Sequence, residues 1–340
     1  MAVGLAGRKV LVTGATGTIG RRLVVALLEA GADVSIITRS AAKLDQIPWR
    51  PQVSHHKADL TAPGSLFGTL DGIELVFHLA SHNPGLDEAK LYEAPGHWSV
   101  TADGTKSLIA EAVRAGARGI IYPSTVKAMG EAVGSHGRPA NERCAAEPQT
   151  LYGRAKLAAE EALLDAGQRH GLHVCILRLP MVYGQETDGN ILRLIDAVAR
   201  GRFPPWPRIE NRRSAIHVDD VVSALLLAAT SPRARGQVYL VSDGRAYSTR
   251  WLYEEVCQAL GKTPPRWTVP LWLLAAVATA GSLIEHTTGR AMPLNRSSLG
   301  KLVGDAWLSS EKLRGDLGFQ PTRTLQTTIA ELVADYLRAA

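Results

Sequence analysis

Short apolar runs alternate with amphipathic stretches over the first 180 residues of this 340-residue chain. Runs rich in β-branched and aliphatic residues predict buried strands at 9–13, 33–37, 53–56, 73–78, 119–122 and 174–179. Between these runs, the spacing of apolar positions predicts helices at 21–30, 101–115 and 152–170. Strands that alternate with helices in this way are typical of an α/β fold, in which helices cover both faces of a parallel sheet.

A glycine-rich turn follows the first predicted strand and precedes the first predicted helix. Gly14, Gly17 and Gly20 stand three residues apart. Glycines at this spacing allow a tight turn out of the strand, close approach of the backbone to a phosphate, and close packing of the helix on the sheet. The N–H groups at the helix start can then hold a dinucleotide pyrophosphate, aided by the helix dipole. The expected cofactor contacts of this turn are Gly14, Thr16, Gly17, Thr18, Ile19 and Gly20.

The end of the second predicted strand bears on the choice of cofactor. In nicotinamide enzymes of this fold, an acidic side chain here binds the ribose 2′-OH of NAD, whereas an arginine accepts the 2′-phosphate of NADP. The acid is missing from this sequence, Arg39 is present, and Lys43 lies close by. We therefore favour NADP over NAD. The alternative is that Arg39 is a solvated loop charge.

After residue 180, the regular alternation of predicted strands and helices ends. Its predicted elements are a helix at 190–200, a proline-broken segment at 203–207, a helix after Asp220, a strand at 238–242 and a mainly helical stretch at 249–340. This layout predicts a dinucleotide-binding domain made of residues 1–180 and about 214–245. A substrate-binding lobe would then come from two separate pieces of chain, about 181–213 and 246–340.

Composition and charge narrow the range of partners. With 46% apolar residues, the chain can bury a sizeable core. The formal net charge is +6, but the densest basic clusters, at 208–213 and 233–235, are short and lack interleaved aromatic residues. We therefore expect no nucleic-acid binding, and the local excess of arginine suits a small phosphorylated ligand.

The cysteines and the most apolar segment bear on the cell compartment. Cys144, Cys175 and Cys257 are odd in number and form no Cys-x-x-Cys pair, which indicates a reducing compartment and a cytoplasmic location. We expect no signal peptide, because the first core strand begins by Lys9. The apolar run at 271–284 is too short to cross a bilayer, so stable membrane insertion is not expected. It predicts a buried or subunit-facing helix, with peripheral membrane contact as the alternative.

Two residues with catalytic potential open the third predicted helix. Tyr152 and Lys156 are four positions apart, so they share one helix face. A nearby ammonium, together with a positively charged nicotinamide ring, would favour the phenolate and lower the tyrosine pKa toward the working range. The lysine can also hold the nicotinamide ribose. A hydroxyl from Thr125, or from Ser124, would hydrogen-bond the same substrate oxygen, so these four residues are the predicted catalytic set. The alternative is a packed tyrosine beside a solvated lysine.

Taken in chain order, these motifs resemble those of extended short-chain dehydrogenases/reductases, the family of nucleotide-sugar epimerases, dehydratases and reductases. The matching residues are Gly14/Gly17/Gly20, Asp59-Leu60, His78-Leu79-Ala80, Ser124-Thr125, Tyr152/Lys156, Arg178-Leu179-Pro180-Met181-Val182-Tyr183-Gly184, and Arg213 with His217-Val218-Asp219-Asp220. The match runs almost from end to end and keeps the family order. It implies a Rossmann-type doubly wound sheet with a smaller, mainly helical, substrate-binding C-terminal lobe.

The resemblance also implies roles for individual residues. Asp59 and Leu60 would border the adenine, whereas Leu79 and Ala80 would border the nicotinamide-side phosphates and ribose. Asn190 and Arg213 would contact the diphosphate of a nucleotide-sugar. The remaining expected contacts are Ser81, Leu179 and Val182 with the cofactor, and His82 and Thr125 with the substrate. The segment His217-Val218-Asp219-Asp220 could equally be structural, with its side chains fixing a loop. No metal site is expected, because no metal-ligand spacing is shown by His55, His56, His82 and His97.

A narrower resemblance points to the bacterial surface-polysaccharide branch, with its UDP-N-acetylhexosamine 4-epimerases and UDP-4-keto-6-deoxyhexosamine 4-reductases. It rests on Ser124-Thr125-Val126-Lys127, Gly189-Asn190, Asn211-Arg212-Arg213-Ser214, Leu240-Val241-Ser242-Asp243-Gly244 and Ser248-Thr249. Two residues depart from the pattern: Met129 replaces a common tyrosine, and Thr101 replaces the asparagine that usually begins the second helix. The change at Thr101 bears on the fine geometry of the site.

We therefore expect an enzyme that transfers a hydride at C4 of a UDP-hexose or UDP-N-acetylhexosamine while Tyr152 exchanges the hydroxyl proton. Reduction on the opposite face with retained cofactor gives epimerisation, and exchange of NADPH for NADP gives ketone reduction. The alternatives are a reductase or dehydrogenase of a steroid- or flavonoid-like compound, and a non-catalytic NADP-sensing protein. Family analogy implies a homodimer through the helices at 101–115 and 152–170. Substrate choice is expected to depend on residues 82–98 and 203–206.

Overall fold

The computed structural model describes residues 4–40, 44–45, 47–84, 92–131, 133–134, 137–185, 189–288, 292 and 294–339. Its strands are β1 (Lys9–Thr13), β2 (Asp33–Thr38), β3 (Ser54–Lys57), β4 (Leu75–His78), β5 (Gly119–Thr125), β6 (His173–Leu179), β7 (Met181–Tyr183), β8 (Ala215–His217) and β9 (Gln237–Leu240). Its helices are α1 (Thr18–Glu29), α2 (Gly104–Arg114), α3 (Leu151–His170), α4 (Asn190–Ala199), α5 (Val218–Thr230), α6 (Thr249–Ala259), α7 (Leu271–Thr288), α8 (Arg296–Val303), α9 (Glu311–Leu317) and α10 (Leu325–Ala339).

Within the described residues, seven strands form one parallel sheet in the order β3-β2-β1-β4-β5-β6-β9. The chain winds outward from β1 first on one side and then, from β4 onward, on the other. Sheets of this kind bind ligands outside the carboxyl ends of their strands, at the point where the order reverses. Here that point lies between β1 and β4, which pair directly.

Side-chain alternation along the strands builds a hydrophobic core on each face of the sheet. Val10 and Val12 of β1 pack with α1 and α5, whereas Leu11 between them packs on the other face with α2 and α3. Successive strand residues point to opposite faces, so a run that is apolar throughout demands cover on both. The prediction of a doubly wound α/β sheet is therefore confirmed.

A further core lies outside the sheet and joins α4, α6, α7, α8 and α10, as the mainly helical composition of residues 249–340 predicts. Asp220 fastens this region to α5, because its buried carboxylate accepts hydrogen bonds from the N–H and hydroxyl of Thr322 and from the N–H of Arg323. His217 caps α5 by accepting a hydrogen bond from the Asp219 N–H. Of the two roles considered for this motif, these contacts support the structural one.

Several boundaries differ from the sequence prediction. The helix expected at 101–115 is preceded by a wider, π-helical turn over His97–Asp103 and becomes α-helical only at Gly104. The parallel pair β7–β8 was not predicted, because strands of three residues carry too little pattern to identify. Lys43 and part of the segment 82–98 lie outside the described residues. Among the helices that the structure describes, none has both the length and the apolar content needed to cross a membrane.

Candidate active site

The glycine turn brings β1, α1 and the end of β4 closer together than other residues would allow. Gly14 has φ +70°, and a Cβ built on it would lie 2.7 Å from the Ala80 nitrogen. A Cβ on Gly20 would lie 2.2 Å from the Gly14 carbonyl oxygen. Real Cβ atoms do not approach backbone this closely, so both glycines are required by packing within the protein.

Gly17 is different, because its own chain does not require a glycine there. Its φ of −79° suits any residue, and its virtual Cβ has one neighbour within 4 Å, the Gly14 oxygen at 3.4 Å. Gly17 immediately precedes α1, where the first N–H groups lack intrahelical partners. Thr16, Thr18 and Ile19 beside it are half-buried. A small residue facing open space at a helix start fits a pyrophosphate lying against the backbone, as the dinucleotide motif requires.

A buried hydrogen-bond chain fixes the end of β4. Thr13 Oγ1 lies 2.8 Å from His78 Nδ1, and His78 Nε2 lies 2.9 Å from the hydroxyl of Thr105. Thr13 Oγ1 also accepts a hydrogen bond from the N–H of Ala80, at 3.1 Å. Burial lowers the pKa of His78 to about 3, so the imidazole is neutral. These contacts fix Leu79, Ala80 and Ser81 at the carboxyl end of β4, where the order of the strands reverses.

Thr101, which replaces the usual asparagine, lies in the π-helical turn and forms hydrogen bonds with Ser81 and His82. Its hydroxyl is 2.9 Å from the hydroxyl of Ser81 and accepts a hydrogen bond from the His82 N–H at 3.3 Å. π-Helical turns often occur at functional sites because they redirect side chains. Thr101 is buried. It therefore positions the predicted contacts Ser81 and His82 from behind.

Rings in edge-to-face contact connect His82 to Tyr152. The His82 ring packs so closely on Gly96 that a Cβ there would lie 2.5 Å from an imidazole carbon. Its centroid is 5.1 Å from that of His97, and the His97 centroid is 5.0 Å from that of Tyr152. Tyr92 approaches Tyr152 from another side at 5.9 Å. Sequence reasoning did not assign His97 or Tyr92 to the site, because their proximity arises from tertiary packing rather than from a spaced motif.

The predicted pair Tyr152 and Thr125 is brought together by close packing of α3. A Cβ on Gly153 would lie 2.4 Å from the Lys127 carbonyl oxygen, so glycine allows the first turn of α3 to approach the residues after β5. Thr125 ends β5, and hydrogen bonding from its hydroxyl is one of the influences on the Tyr152 pKa. Burial raises the pKa of Tyr152 to about 12, and the bond from Thr125 partly opposes this increase.

Lys156 lies one turn further along α3 and is buried. Its Nζ donates to the Pro123 carbonyl oxygen at 3.2 Å and lies 4.5 Å from the centre of the Tyr122 ring. Burial lowers the Lys156 pKa to about 8, against the attraction of Glu160. The sequence prediction of a lowered Tyr152 pKa includes a bound nicotinamide ring and stays a prediction, whereas in the protein alone burial raises that pKa.

Ser124 does not share the position of Thr125, although both were predicted as catalytic hydroxyls. It is buried, and its hydroxyl donates to Glu160. The Glu160 carboxylate also binds the Arg178 guanidinium in a buried, two-pronged pair at 2.7 and 3.1 Å. The assignment of Ser124 to catalysis is therefore corrected: adjacent strand residues face opposite ways, and only Thr125 faces Tyr152.

The residues predicted for the adenine side follow β2 and β3, which are paired. Arg39 is exposed, and its charge contributes to a lowered pKa at Asp59. The larger contribution is from Thr61, whose N–H and hydroxyl donate to the Asp59 carboxylate at 2.9 and 2.8 Å. Leu60 is buried. Leu179 is also buried and Val182 is half-buried, both against the core that includes α1.

Cationic side chains gather around the ring of Tyr92. Lys301 Nζ lies 4.0 Å from the ring centre and Lys127 Nζ lies 5.9 Å from it, the latter paired with Glu131. The Arg213 guanidinium donates to the carbonyl oxygens of Lys301 and Gly304 at the end of α8, the latter at 3.2 Å.

Burial lowers the pKa of Arg213, opposed by the charges of Tyr92, Asp305 and Glu131. Lys127 and Lys301 were not predicted as site residues. Asn190 is exposed at the first position of α4, and its contact with a diphosphate stays a prediction.

Comparison with known proteins agrees with this architecture. Residues 10–242 match the NAD dependent epimerase/dehydratase family. The UDP-glucose 4-epimerase of Vibrio cholerae is 26% identical over 98% of this chain and 96% of its own length. A 3 beta-hydroxysteroid dehydrogenase/Delta 5-->4-isomerase of Mycobacterium tuberculosis is 25% identical over 97% of this chain and 90% of its own.

Among solved structures, MoeE5 in complex with UDP-glucuronic acid and NAD is 26% identical, with a TM-score of 0.72 over 98% of this chain and all of the other. The family match covers well over half of the sequence, and the relatives are enzymes that extend over nearly the whole of it. The chain therefore belongs to the NAD dependent epimerase/dehydratase family, the extended short-chain dehydrogenases/reductases.

Proposed function

We propose that this enzyme transfers a hydride at C4 of a UDP-linked hexose or N-acetylhexosamine, as a 4-epimerase or a 4-keto reductase. The observation that carries the proposal is the position of the Thr125 hydroxyl near the Tyr152 phenol. Beside Tyr152 lies the Tyr92 ring, with Lys127, Lys301 and Arg213 around it. Tyr152, with Thr125 beside it, can exchange the proton of a sugar hydroxyl. The cations suit the diphosphate that such a substrate carries.

The chain's own residues would hold the cofactor at defined places. Gly17 and the N-terminus of α1 would hold the pyrophosphate, and Lys156 would hold the nicotinamide ribose. When bound, NAD(P) supplies the acceptor or donor of the hydride. Arg39 supports NADP as the cofactor, because its exposed guanidinium follows β2, where a 2′-phosphate would lie.

Tyr152 would exchange a proton with the oxygen on the sugar C4, while Thr125 orients that oxygen by a hydrogen bond. At neutral pH a phenol with a pKa near 12 is protonated, so it is ready to donate to a ketone oxygen. The inferred use of NADP supports the reductase outcome. Epimerisation on a retained cofactor uses the same two residues and stays the other outcome.

A second candidate is a dehydrogenase or reductase of a steroid-like alcohol or ketone. It is favoured by the similarity to the mycobacterial hydroxysteroid enzyme and by the rings of Tyr92 and His97, which lie against Tyr152. Flat apolar substrates bind well against aromatic walls. A non-catalytic, NADP-sensing protein stays the third alternative, although the Thr125–Tyr152 pair is intact.

The test combines turnover with ligand binding. The purified protein is incubated with UDP-glucose, UDP-N-acetylglucosamine, a 4-keto nucleotide-sugar or a 3β-hydroxysteroid, with NAD(H) or NADP(H), while products and nicotinamide absorbance are followed. Binding of UDP is measured by calorimetry. Conversion of a nucleotide-sugar that Tyr152→Phe abolishes supports the proposal. Turnover of the steroid without UDP binding would replace it with the second candidate.

The assembly and location of the enzyme are also proposals. By family analogy we infer a homodimer through α2 and α3, and a monomeric mass in solution scattering would contradict it. Cys144, Cys175 and Cys257 are free thiols, the last two buried, and this agrees with a reducing compartment such as the cytoplasm. Localisation of a tagged protein in cells tests this expectation.

A further inference from the structure

The surface of α7 is apolar on nearly every side. Three residues of this helix are buried, Leu274, Ala278 and Gly281, and their spacing of four and three places them in one narrow stripe. Gly281 lies against the chain before α8, since a Cβ there would be 2.1 Å from the Leu294 oxygen. Of the predicted buried or subunit-facing helix, burial within the chain is therefore limited to this stripe, and a subunit-facing role stays a prediction.

The rest of α7 exposes large apolar side chains. Trp272 is 70% exposed and Leu283 is 64% exposed, and Trp267 in the preceding segment is 64% exposed. Leu273, Val277 and Ile284 are also exposed. We call these six residues the α7 surface. A contiguous apolar area of this kind marks an interaction site, whereas single exposed apolar residues do not.

The charges around the α7 surface are strongly unequal. Residues 262–304 contain one acidic residue, Glu285, and five Lys and Arg, of which Lys262 donates to carbonyl oxygens of α4 and Lys301 lies over the Tyr92 ring. The Glu285 carboxylate is occupied within the protein, where it accepts hydrogen bonds from the Met292 N–H and the Asn295 side chain. Arg266 and Arg296 are exposed. The partner of this surface should therefore be apolar and carry negative charge at its edge.

We propose that the α7 surface attaches the enzyme to an anionic phospholipid bilayer, with α7 lying in the plane of the interface. In such a bilayer the leucines would contact acyl chains, the two tryptophans would lie at the level of the headgroups, and the arginines would contact negatively charged lipids. A second copy of the chain fits less well. A two-fold contact through α7 would place its cationic rim beside an identical rim, where like charges repel.

The α7 surface is connected to the candidate active site through α8. This helix follows α7 and packs on it, and its terminal carbonyl oxygens accept hydrogen bonds from Arg213. Lys301 of α8 lies over the Tyr92 ring, beside Tyr152. Attachment through α7 would consequently hold the substrate side of the site near the lipid surface.

The experiment measures co-sedimentation of the full chain with vesicles, without substrate or cofactor, so its outcome is independent of the proposed function. We expect binding to vesicles of equal parts phosphatidylcholine and phosphatidylglycerol, weakened by salt and by omission of phosphatidylglycerol. The affinity of the double variant Trp272→Ser/Leu283→Ser for these vesicles should fall by about tenfold or more. The charge variant Arg266→Glu/Arg296→Glu should lose the preference for phosphatidylglycerol.

A matched control is Phe67→Ser, which removes an equally exposed apolar side chain from the other end of the fold and should leave vesicle binding unchanged. Because the substituted side chains are exposed, circular dichroism should report an unchanged fold. The proposal is overturned if the wild type does not bind mixed vesicles at low salt, or if Trp272→Ser/Leu283→Ser binds as well as the wild type. It is also overturned if that variant instead converts an oligomer into a monomer, which would assign the surface to a second copy.

Discussion

Thr125 and Tyr152 lie close together across the contact between the end of β5 and the first turn of α3, where the Thr125 hydroxyl acts to lower the pKa of the phenol. The adjacent Ser124 bonds to Glu160 instead, two turns further along the same helix. Neighbouring hydroxyls therefore have separate tasks. One faces the proposed reacting atoms and the other belongs to a buried ion pair.

This separation predicts opposite effects for two small substitutions. Thr125→Val keeps the shape but removes the hydroxyl, so turnover should fall by about tenfold or more while stability changes little. Ser124→Ala should keep turnover but lower the free energy of unfolding by about 1–3 kcal/mol, because a buried carboxylate loses a donor. Steady-state kinetics and urea denaturation of both variants check this. Equal loss of turnover in the two variants would restore Ser124 as a catalytic candidate.

The glycine turn predicts that cofactor binding and folding can be separated. Gly17→Ala should fold normally, but its affinity for NAD(P) should fall by about tenfold or more, because the added Cβ would project into the space of the pyrophosphate. Gly14→Ala should instead destabilise the protein by about 1–3 kcal/mol, since φ is positive there and the Cβ meets Ala80. Thermal denaturation and fluorescence titration with NADPH distinguish the two. Unchanged NADPH affinity in Gly17→Ala would count against the dinucleotide site.

Arg39 predicts a specific loss of NADP binding. Arg39→Ser should weaken NADP by about tenfold while leaving NAD unchanged, because only NADP carries the 2′-phosphate. Arg118→Ser is a suitable control, as this exposed arginine precedes β5 and so lies at the amino ends of the strands, whereas Arg39 follows the carboxyl end of β2. Calorimetric titration of both cofactors into both variants provides the measurement. If the two cofactors lose affinity equally, Arg39 does not read the 2′ position.

Asp243 predicts a dependence of stability on pH. Burial raises its pKa to about 6, although its carboxylate accepts hydrogen bonds from the Tyr247 hydroxyl and the Arg245 N–H. The folded state therefore binds more protons than the unfolded state between about pH 4 and 6, so this residue's contribution to stability is lost as pH rises through that range.

Denaturation of the wild type and of Asp243→Asn at several pH values tests this expectation. Relative to the variant, the wild type should lose roughly 1–3 kcal/mol of unfolding free energy between pH 4 and 7. A constant difference between the two proteins across this range would show that Asp243 does not titrate abnormally.

The strand–helix alternation, the glycine turn and the Tyr152/Lys156 pair could be predicted because each is a local pattern with a fixed spacing. The role of Ser124 could not, since it depends on Glu160 and Arg178, which are distant in sequence. The same holds for His97 and Tyr92, whose rings meet Tyr152 only in the folded chain. The exposure of α7 was also beyond prediction, because an apolar pattern does not indicate whether a neighbour covers it.

The expected lowering of the Tyr152 pKa rests on a bound nicotinamide as well as on Lys156, so it stays a prediction. A spacing of four residues places Lys156 on the same helix face, but the direction of its ammonium depends on the Pro123 carbonyl and the Tyr122 ring. In the protein alone, burial of the phenol decides the sign of the shift. Helical spacing therefore predicts which side chains are neighbours more securely than how they interact.

The hydrogen bonds from Arg213 to the end of α8 have a thermodynamic consequence for ligand binding. An anionic ligand that takes one of these N–H groups changes the energy of the helix end that the group was satisfying. By linkage, ligand affinity and the stability of α8 must then influence each other by the same factor. Anything that restrains α8 from outside, including a surface to which α7 adheres, would act as an effector of substrate affinity.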